Sequence, residues 1–362
     1  MRRAKSLKSP LSRASAIAAL VLTLGIASTS AASSVGAGHR RVTGPAKAAS
    51  HRAAAPSLIG GDSKTDCVYS ANRIDVLHRF EQMVSKNIDC ALVFNNASPN
   101  WAGWDDPWFL REQGSPASNW LAWATAPGTD RQLVITQGMF PSDVNGTNWL
   151  QAGAGGAYDR YARTLARKLV AAGLGNSVIR LGHEANDSGS PWFVGTTPES
   201  WRLWDQYWRQ TVVAMRSVPG AHFLFDWCIN AYWEPIALAD WYPGNSFVNI
   251  IGVDAYDSGV PVGADRWSKI YTQPDGIDDV LRFAAAHGKP VSFPEWGLWT
   301  SGSAGGFGGG GDPAYIDGMA GVVKSNAIAY QSYFDSLASA TLLADSPPSL
   351  AAYRESFGGG EQ

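Results

Sequence analysis

Cysteine is scarce in this chain: Cys67, Cys90 and Cys228 are the whole complement. A disulfide-stapled small fold is therefore excluded, and in an oxidising compartment at most one bridge can form. Cys67 and Cys90 are the expected pair, since both fall in the first βα region, which leaves Cys228 as a buried thiol in the apolar run Phe223–Cys228. Histidine is equally sparse. His39, His51, His78, His183, His222 and His287 show no His-x-x-x-His or other ligand spacing, so neither a metal nor a cofactor is expected. The Gly-rich stretch Gly302–Gly311 lacks the Lys and the strand–loop–helix setting of a phosphate cradle.

Acidic residues are missing from the start: none precedes Asp62. Arg2, Arg3, Lys5, Lys8 and Arg13 lead into an apolar run, Ala16–Ala27, and then into small residues around Ser30-Ala31-Ala32, the pattern of a secretory signal peptide over residues 1–32. The run is too short for an ordinary transmembrane helix, and no later segment is longer, so an exported protein without a membrane span is expected. Residues 33–57 are rich in Ala, Gly and Ser with too few apolar groups to offset ordering, and read as a linker. Nine of the 29 basic residues precede residue 58 and none of the 31 acidic ones does, so the chain from residue 58 onward carries a net charge of −11. That balance argues against a nucleic-acid partner and suits a neutral substrate.

The body, residues 58–357, has the length of one (β/α)₈ barrel and alternates strand-like with helix-like segments. Strands are expected near Leu58-Ile59 and over Asp89–Phe94, Arg131–Thr136, Val178–Gly182, Ala221–Cys228, Phe247–Val253, Val291–Phe293 and Ile328–Phe334. Amphipathic helices separate them, notably Tyr158–Ala172, a long one opening at Thr197-Pro198, and Ile277–His287. The fourth strand ends in His183-Glu184 and the seventh in Glu295, 111 residues later. Three βα units of about 37 residues fit that interval, close to the roughly 31 of a typical barrel. Parallel strands deliver their C-terminal residues to one face, so Glu184 and Glu295 converge there, and two carboxyl groups are the minimal equipment for cleaving a glycosidic bond. Arg180 shares a strand face with Glu184, placed to hold a carboxylate ionised. An ordinary salt bridge at the barrel mouth is the plainer alternative.

In these residues the sequence resembles glycoside hydrolase family 26, a retaining family that includes β-mannanases. The resemblance rests on Arg180-Leu-Gly-His183-Glu184-Ala-Asn186 followed by Trp192-Phe193, on Asp254-Ala-Tyr256 at the end of the sixth strand, on Trp241-Tyr-Pro-Gly244 before it, and on Pro294-Glu295-Trp296-Gly297. It covers the body from the third strand onward. It implies Glu184 as general acid/base, Glu295 as nucleophile, Tyr256 as the group orienting Glu295, and His183 as a sugar contact or an orienter of its neighbours. One departure stands out. The family's third strand ends near a His, where this chain runs Ile135-Thr-Gln-Gly-Met-Phe140. A secreted, monomeric retaining endo-β-glycosidase is expected, acting on a mannan-type polysaccharide, with β-1,3-xylan or mixed-linkage β-glucan as alternatives. A noncatalytic polysaccharide-binding barrel is the reading from another class.

No Trp precedes residue 101, yet all 16 lie from there onward. Trp192, Trp227, Trp233, Trp296 and Trp299 fall where strands end and are candidates to stack on sugar rings, as is Phe193; Asn186 and Asn230 are candidate sugar hydrogen-bonding groups. Trp101, Trp104 and Trp108 are placed to wall a distal subsite or to pack. Trp201, Trp204 and Trp208, at helical spacing, read as core.

Overall fold

A computed structural model describes residues 65–95, 97–111, 115–144, 148–231, 236–301, 307–335 and 343–359. The expected signal peptide and linker lie outside these residues, as does Trp233. Eight parallel strands close in sequence order into a barrel. They are β1 (Thr65–Tyr69), β2 (Cys90–Asn95), β3 (Gln132–Gln137), β4 (Val178–Leu181), β5 (Leu224–Asn230), β6 (Ile250–Tyr256), β7 (Val291–Gly297) and β8 (Ile328–Phe334). The expected (β/α)₈ architecture is thus present. The first strand is the correction. Leu58-Ile59 lies outside the described residues, and the barrel begins at Thr65-Asp-Cys-Val-Tyr69, where Asp66 accepts hydrogen bonds from Lys86 and Gln331. A carboxylate satisfied between neighbouring elements hides a strand whose apolar content is low.

The helices in chain order are α1 (Ile74–Val84), α2 (Trp101–Trp104), α3 (Trp108–Arg111), α4 (Trp120–Ala124), α5 (Trp149–Ala154) and α6 (Asp159–Ala171). They continue with α7 (Pro198–Arg216), α8 (Arg266–Thr272), α9 (Ile277–His287), α10 (Pro313–Ser325) and α11 (Pro347–Phe357). None among the described residues is long and apolar enough to cross a membrane.

Strand alternation divides the core in two. Inward residues such as Leu92, Val134, Val178, Leu224, Ile250 and Tyr330 fill the barrel. Cys67 and Cys90 lie in register on β1 and β2 and are joined there, the expected pairing. Outward residues pack under the helices in a larger cluster. The helix α7 shows how that layer fixes the mouth. Thr197 caps it in a reciprocal box with Ser200, and Pro198 occupies its first turn. Its aromatics then bond the strand ends: Trp208 Nε1 donates to Leu181 O (3.1 Å), Trp204 Nε1 to Trp192 O (3.2 Å) and Tyr207 Oη to Met139 O. Burying an indole satisfies its N–H only if an acceptor is at hand, and here the acceptors are the carbonyls of the segments that carry His183 and Glu184. Trp204 and Trp208 are core residues, as expected.

Candidate active site

The backbone turns sharply where β4 ends. Gly182 has φ +58° and Glu184 φ +53°, a left-handed conformation that few non-glycine residues adopt. Four hydrogen bonds hold the turn: Gly182 N to Gln137 O (2.8 Å), Glu184 N to Cys228 O (2.9 Å), Trp192 Nε1 to His183 O (2.6 Å) and Val194 N to Ala185 O (2.7 Å). Such strain persists where the surroundings over-determine it, as they do here, and it collects at functional sites.

The two glutamates meet different environments. Glu295 is gripped at both oxygens: Arg180 Nη1 donates to Oε1 (2.6 Å) and Tyr256 Oη to Oε2 (2.8 Å). Arg180 is fully buried inside the barrel, where it also donates to Asp254 and, through Nη1, to Thr136 Oγ1 (3.3 Å). Among the described residues no cation is bonded to Glu184, and the Arg180 charge pulls its carboxyl down only against larger opposing effects. Burial pushes its carboxyl well above the ordinary carboxylate range, and the negative charges of Asp254 and Glu295 push the same way, with a further contribution from Asp187. One carboxyl is thus held at both oxygens by hydrogen-bond donors, and the other is held toward its protonated form. Burial, reinforced by the Arg180 charge, lowers His183 well below its usual value, so its ring is neutral between the rings of Phe94 and Trp192.

The other expected site residues divide. Trp299 is half-buried beside the mouth, its ring edge-on to Tyr256 (4.9 Å). Phe193 is half-buried next to the acid-bearing turn, and Asn230 is half-buried at the tip of β5. Trp192 is buried and spends its N–H on His183 O, supporting the turn from behind. Asn186 is not a sugar-facing group. Its Nδ2 donates to Asn230 O (2.7 Å) and its Oδ1 accepts from Asn230 N (2.9 Å), which staples the β4 turn to β5. Arg180 likewise acts beneath the carboxylates. Trp227 and Trp296 are corrections of a different kind. Both are buried on the helix side, Trp227 against Trp241 and Phe283 and Trp296 against Tyr353 and Phe357. Alternation explains both: Asp226 and Cys228 face into the barrel, so Trp227 between them faces out, and Glu295 facing in sends Trp296 out. Trp101 is stacked on Tyr161 (4.2 Å), Trp104 donates to Gly138 O (2.7 Å) and Trp108 to Phe94 O (2.9 Å), so this trio packs and bonds within the protein.

Three aromatics near Glu295 were not foreseen. Tyr69 at the end of β1 stacks on Phe334 at the end of β8 (4.3 Å), meets Phe94 edge-on (4.8 Å), and has its phenol pushed up by burial and by the Glu295 charge. Phe334 in turn meets Tyr256 (5.8 Å). Phe334 carried the same signal as Trp299, an aromatic where a strand ends; Tyr69 was lost with β1. In place of the missing His the third strand ends in Gln137, whose Oε1 accepts from Asn95 Nδ2 (2.9 Å) beside Trp104 and whose buried Nε2 has no partner among the described residues. Among the described residues no group of three or more His, Cys, Asp or Glu is arranged to hold a metal.

Comparison with known proteins finds a family match over part of the chain and similar folds among solved structures. Residues 159–292, which run from the start of α6 to the start of β7, match the family described as Glycosyl hydrolase family 26. No curated protein is similar enough to match. Among solved structures, the YdhT protein from Bacillus subtilis is similar over 82% of this chain and 88% of its own, with a TM-score of 0.57 and 16% identity. A Cellulomonas fimi endo-β-1,4-mannanase double mutant is similar over 83% and 72%, with a TM-score of 0.56 and 14% identity. GH26C from Muricauda sp. MAR_2010_75 is similar over 76% and 79%, with a TM-score of 0.55 and 17% identity.

Proposed function

Because residues 159–292 match glycosyl hydrolase family 26, we propose that the chain is a glycoside hydrolase that cleaves a β-linked polysaccharide internally, outside the cell, by double displacement between Glu184 and Glu295. The observation that carries this reading is the asymmetry of the two carboxyls, one gripped by Arg180 and Tyr256 and the other desolvated and electrostatically pushed toward its acid form. In the first step Glu295 attacks the anomeric carbon while the Glu184 proton passes to the departing glycosidic oxygen. In the second, Glu184 takes a proton from water, whose oxygen displaces Glu295 and restores the original anomeric configuration. Retention requires the carboxyl groups to stand ~5–5.5 Å apart. Mannan is the first substrate to assay, since the similarly folded Cellulomonas fimi protein is an endo-β-1,4-mannanase. The absent third-strand His favours testing β-1,3-xylan and mixed-linkage β-glucan beside it.

The deciding experiment measures reducing ends and product sizes on these glycans for the wild type, Glu184→Ala and Glu295→Ala. Each substitution is expected to abolish hydrolysis, and azide to restore turnover of an activated glycoside by Glu295→Ala with inverted configuration at the anomeric carbon. Wild-type rates in either variant sink the assignment. Tight glycan binding by a wild type that releases no reducing ends on any of them favours a binding protein instead.

A further inference from the structure

Directly after the Glu295-orienting tyrosine comes Asp257, a carboxylate with no solvent exposure. Its partner is Arg266, the first residue of α8 and itself almost fully buried. One guanidinium makes four directed bonds: Nε to Asp257 Oδ1 (2.5 Å), Nη1 to Val260 O, Nη2 to Asp257 O (2.9 Å) and Nη2 to Phe307 O (2.8 Å). Asp312, which caps α10 by accepting from Tyr315 N, lies 3.8 Å from the same Nε.

The acceptors belong to two different segments. Asp257 and Val260 follow β6, and Phe307 follows β7, so Arg266 joins the segments that leave the strands bearing Tyr256 and Glu295. Backbone bonds extend the junction: Asp257 N donates to Gly297 O (3.0 Å), Gly309 N to Asp257 O (3.2 Å) and Gly310 N to Trp299 O (2.7 Å). On the other side of Tyr256, Tyr315 Oη of α10 bonds Ala255 O (2.7 Å). Tyr256 is therefore held between two anchored neighbours. The fit at Asp257 is tight enough to need glycine opposite, since a Cβ on Gly309 would fall 1.7 Å from Asp257 Oδ2. A planar fork with several donors suits this task; a lysine ammonium is a point charge on a flexible stem.

We propose that Arg266 is a positioning residue for the reaction: by bolting the segment after β6 to the segment after β7 it fixes Asp257, and through Asp257 sets the Tyr256 hydroxyl against Glu295. It touches no substrate. This inference rests on the hydrolytic reading above for its kinetic test but not for its structural one.

Arg266→Lys and Arg266→Met are compared with the wild type on a glycan the wild type cleaves. The expected result is a fall in kcat of about tenfold or more with KM little changed, larger for Met than for Lys. In a Tyr256→Phe background the same substitutions cost much less, because the group they position is gone. Wild-type kcat in folded Arg266→Met, or an equal loss in both backgrounds, overturns the proposal. Should the Arg266 variants not fold, Gly309→Ala displaces Asp257 from the opposite side and is read by the same cycle. Amide exchange gives a readout free of activity. In Arg266→Lys the amides of Asp257, Gly309 and Gly310 exchange faster while that of Glu184, bonded to Cys228 O, does not. Unchanged exchange at all of them overturns the proposal even if the wild type cleaves no glycan.

Discussion

Tyr256 gives its hydroxyl to the Glu295 oxygen that Arg180 does not take, and burial, aided by the Glu295 charge, raises its own pKa so that the proton stays on the phenol. A hydrogen bond to a charged group is worth about 1.5–3 kcal/mol, so Tyr256→Phe is expected to lower kcat/KM by ~10–100-fold with the fold intact. Steady-state rates on the best glycan check this, and a loss below threefold argues that Arg180 alone orients the nucleophile. Glu184 offers a test by pH. Its acid form persists above the ordinary carboxylate range because of burial and of nearby negative charge, in which Asp187 shares. Asp187 Oδ1 accepts from Gly189 N (2.7 Å), a bond an amide oxygen can keep. Asp187→Asn therefore removes charge without removing that acceptor, and the basic limb of the kcat/KM profile should move to lower pH. A basic limb that stays in place or rises shows that Glu184 does not set it. His183 was legible as a site residue from its position beside Glu184. That it is neutral was not legible, because the cause is burial beside Arg180.

At the scale of elements, the turn after β4 is the part most sensitive to local geometry. Gly182 needs its left-handed φ, and a Cβ there would meet Met139 at 2.7 Å. An L-residue in that conformation costs about 1–2 kcal/mol before the contact is counted. Gly182→Ala should lower both thermal stability and kcat, since relief of strain moves Glu184; a variant with wild-type melting and turnover refutes the coupling. The strands themselves were readable where both of their faces are buried. Phe247–Val253 and Ile328–Phe334 appear as apolar runs because one face meets the barrel interior and the other the helices. β1 escaped because Asp66 and Cys67 interrupt its pattern, and both are satisfied only by distant parts of the chain, Lys86, Gln331 and Cys90. The aromatics were misjudged for a related reason. Trp227 and Trp296 do sit where strands end, but which side of the barrel they face follows from strand parity against their neighbours Asp226 and Glu295. Indole N–H groups carry a second message that spacing alone does not reveal. Those of Trp104, Trp108, Trp192, Trp204 and Trp208 all end on backbone carbonyls around the mouth, so much of the tryptophan content builds the site's walls and leaves few rings for sugar.

The whole molecule should be most stable under mildly acidic conditions, and the reason is the acids it buries. Burial, against the weaker pull of Arg209, pushes Asp205 up to about 7. Burial likewise raises Asp226 to about 6 despite bonds from Tyr330 and Ser292, Asp257 to about 6 despite Arg266, and Asp335 to about 6 with help from the charge of Asp345. In each case the folded state holds the proton more tightly than the unfolded chain does. The resulting stability is complete below the unfolded carboxyl pKa of about 4 and is lost as pH rises through the folded values, between about 4 and 7. A shift of one pKa unit corresponds to about 1.4 kcal/mol, so even a discounted sum over the four reaches several kcal/mol. The net charge of −11 on residues 58–362 adds self-repulsion in the same direction as the remaining acids ionise. His183 opposes the trend, because its folded value is depressed and its stabilising contribution is lost as pH falls. Asp75, lowered to about 2 by Arg73, also opposes it, but that pair is exposed and screened. Four acids against one imidazole leave the sign to the acids. Urea unfolding at pH 4.5, 6 and 7.5 should show the midpoint falling with rising pH, and Asp205→Asn should flatten the fall above pH 6. A midpoint that rises across the series means these carboxyl groups reach water or cations that hold them ionised.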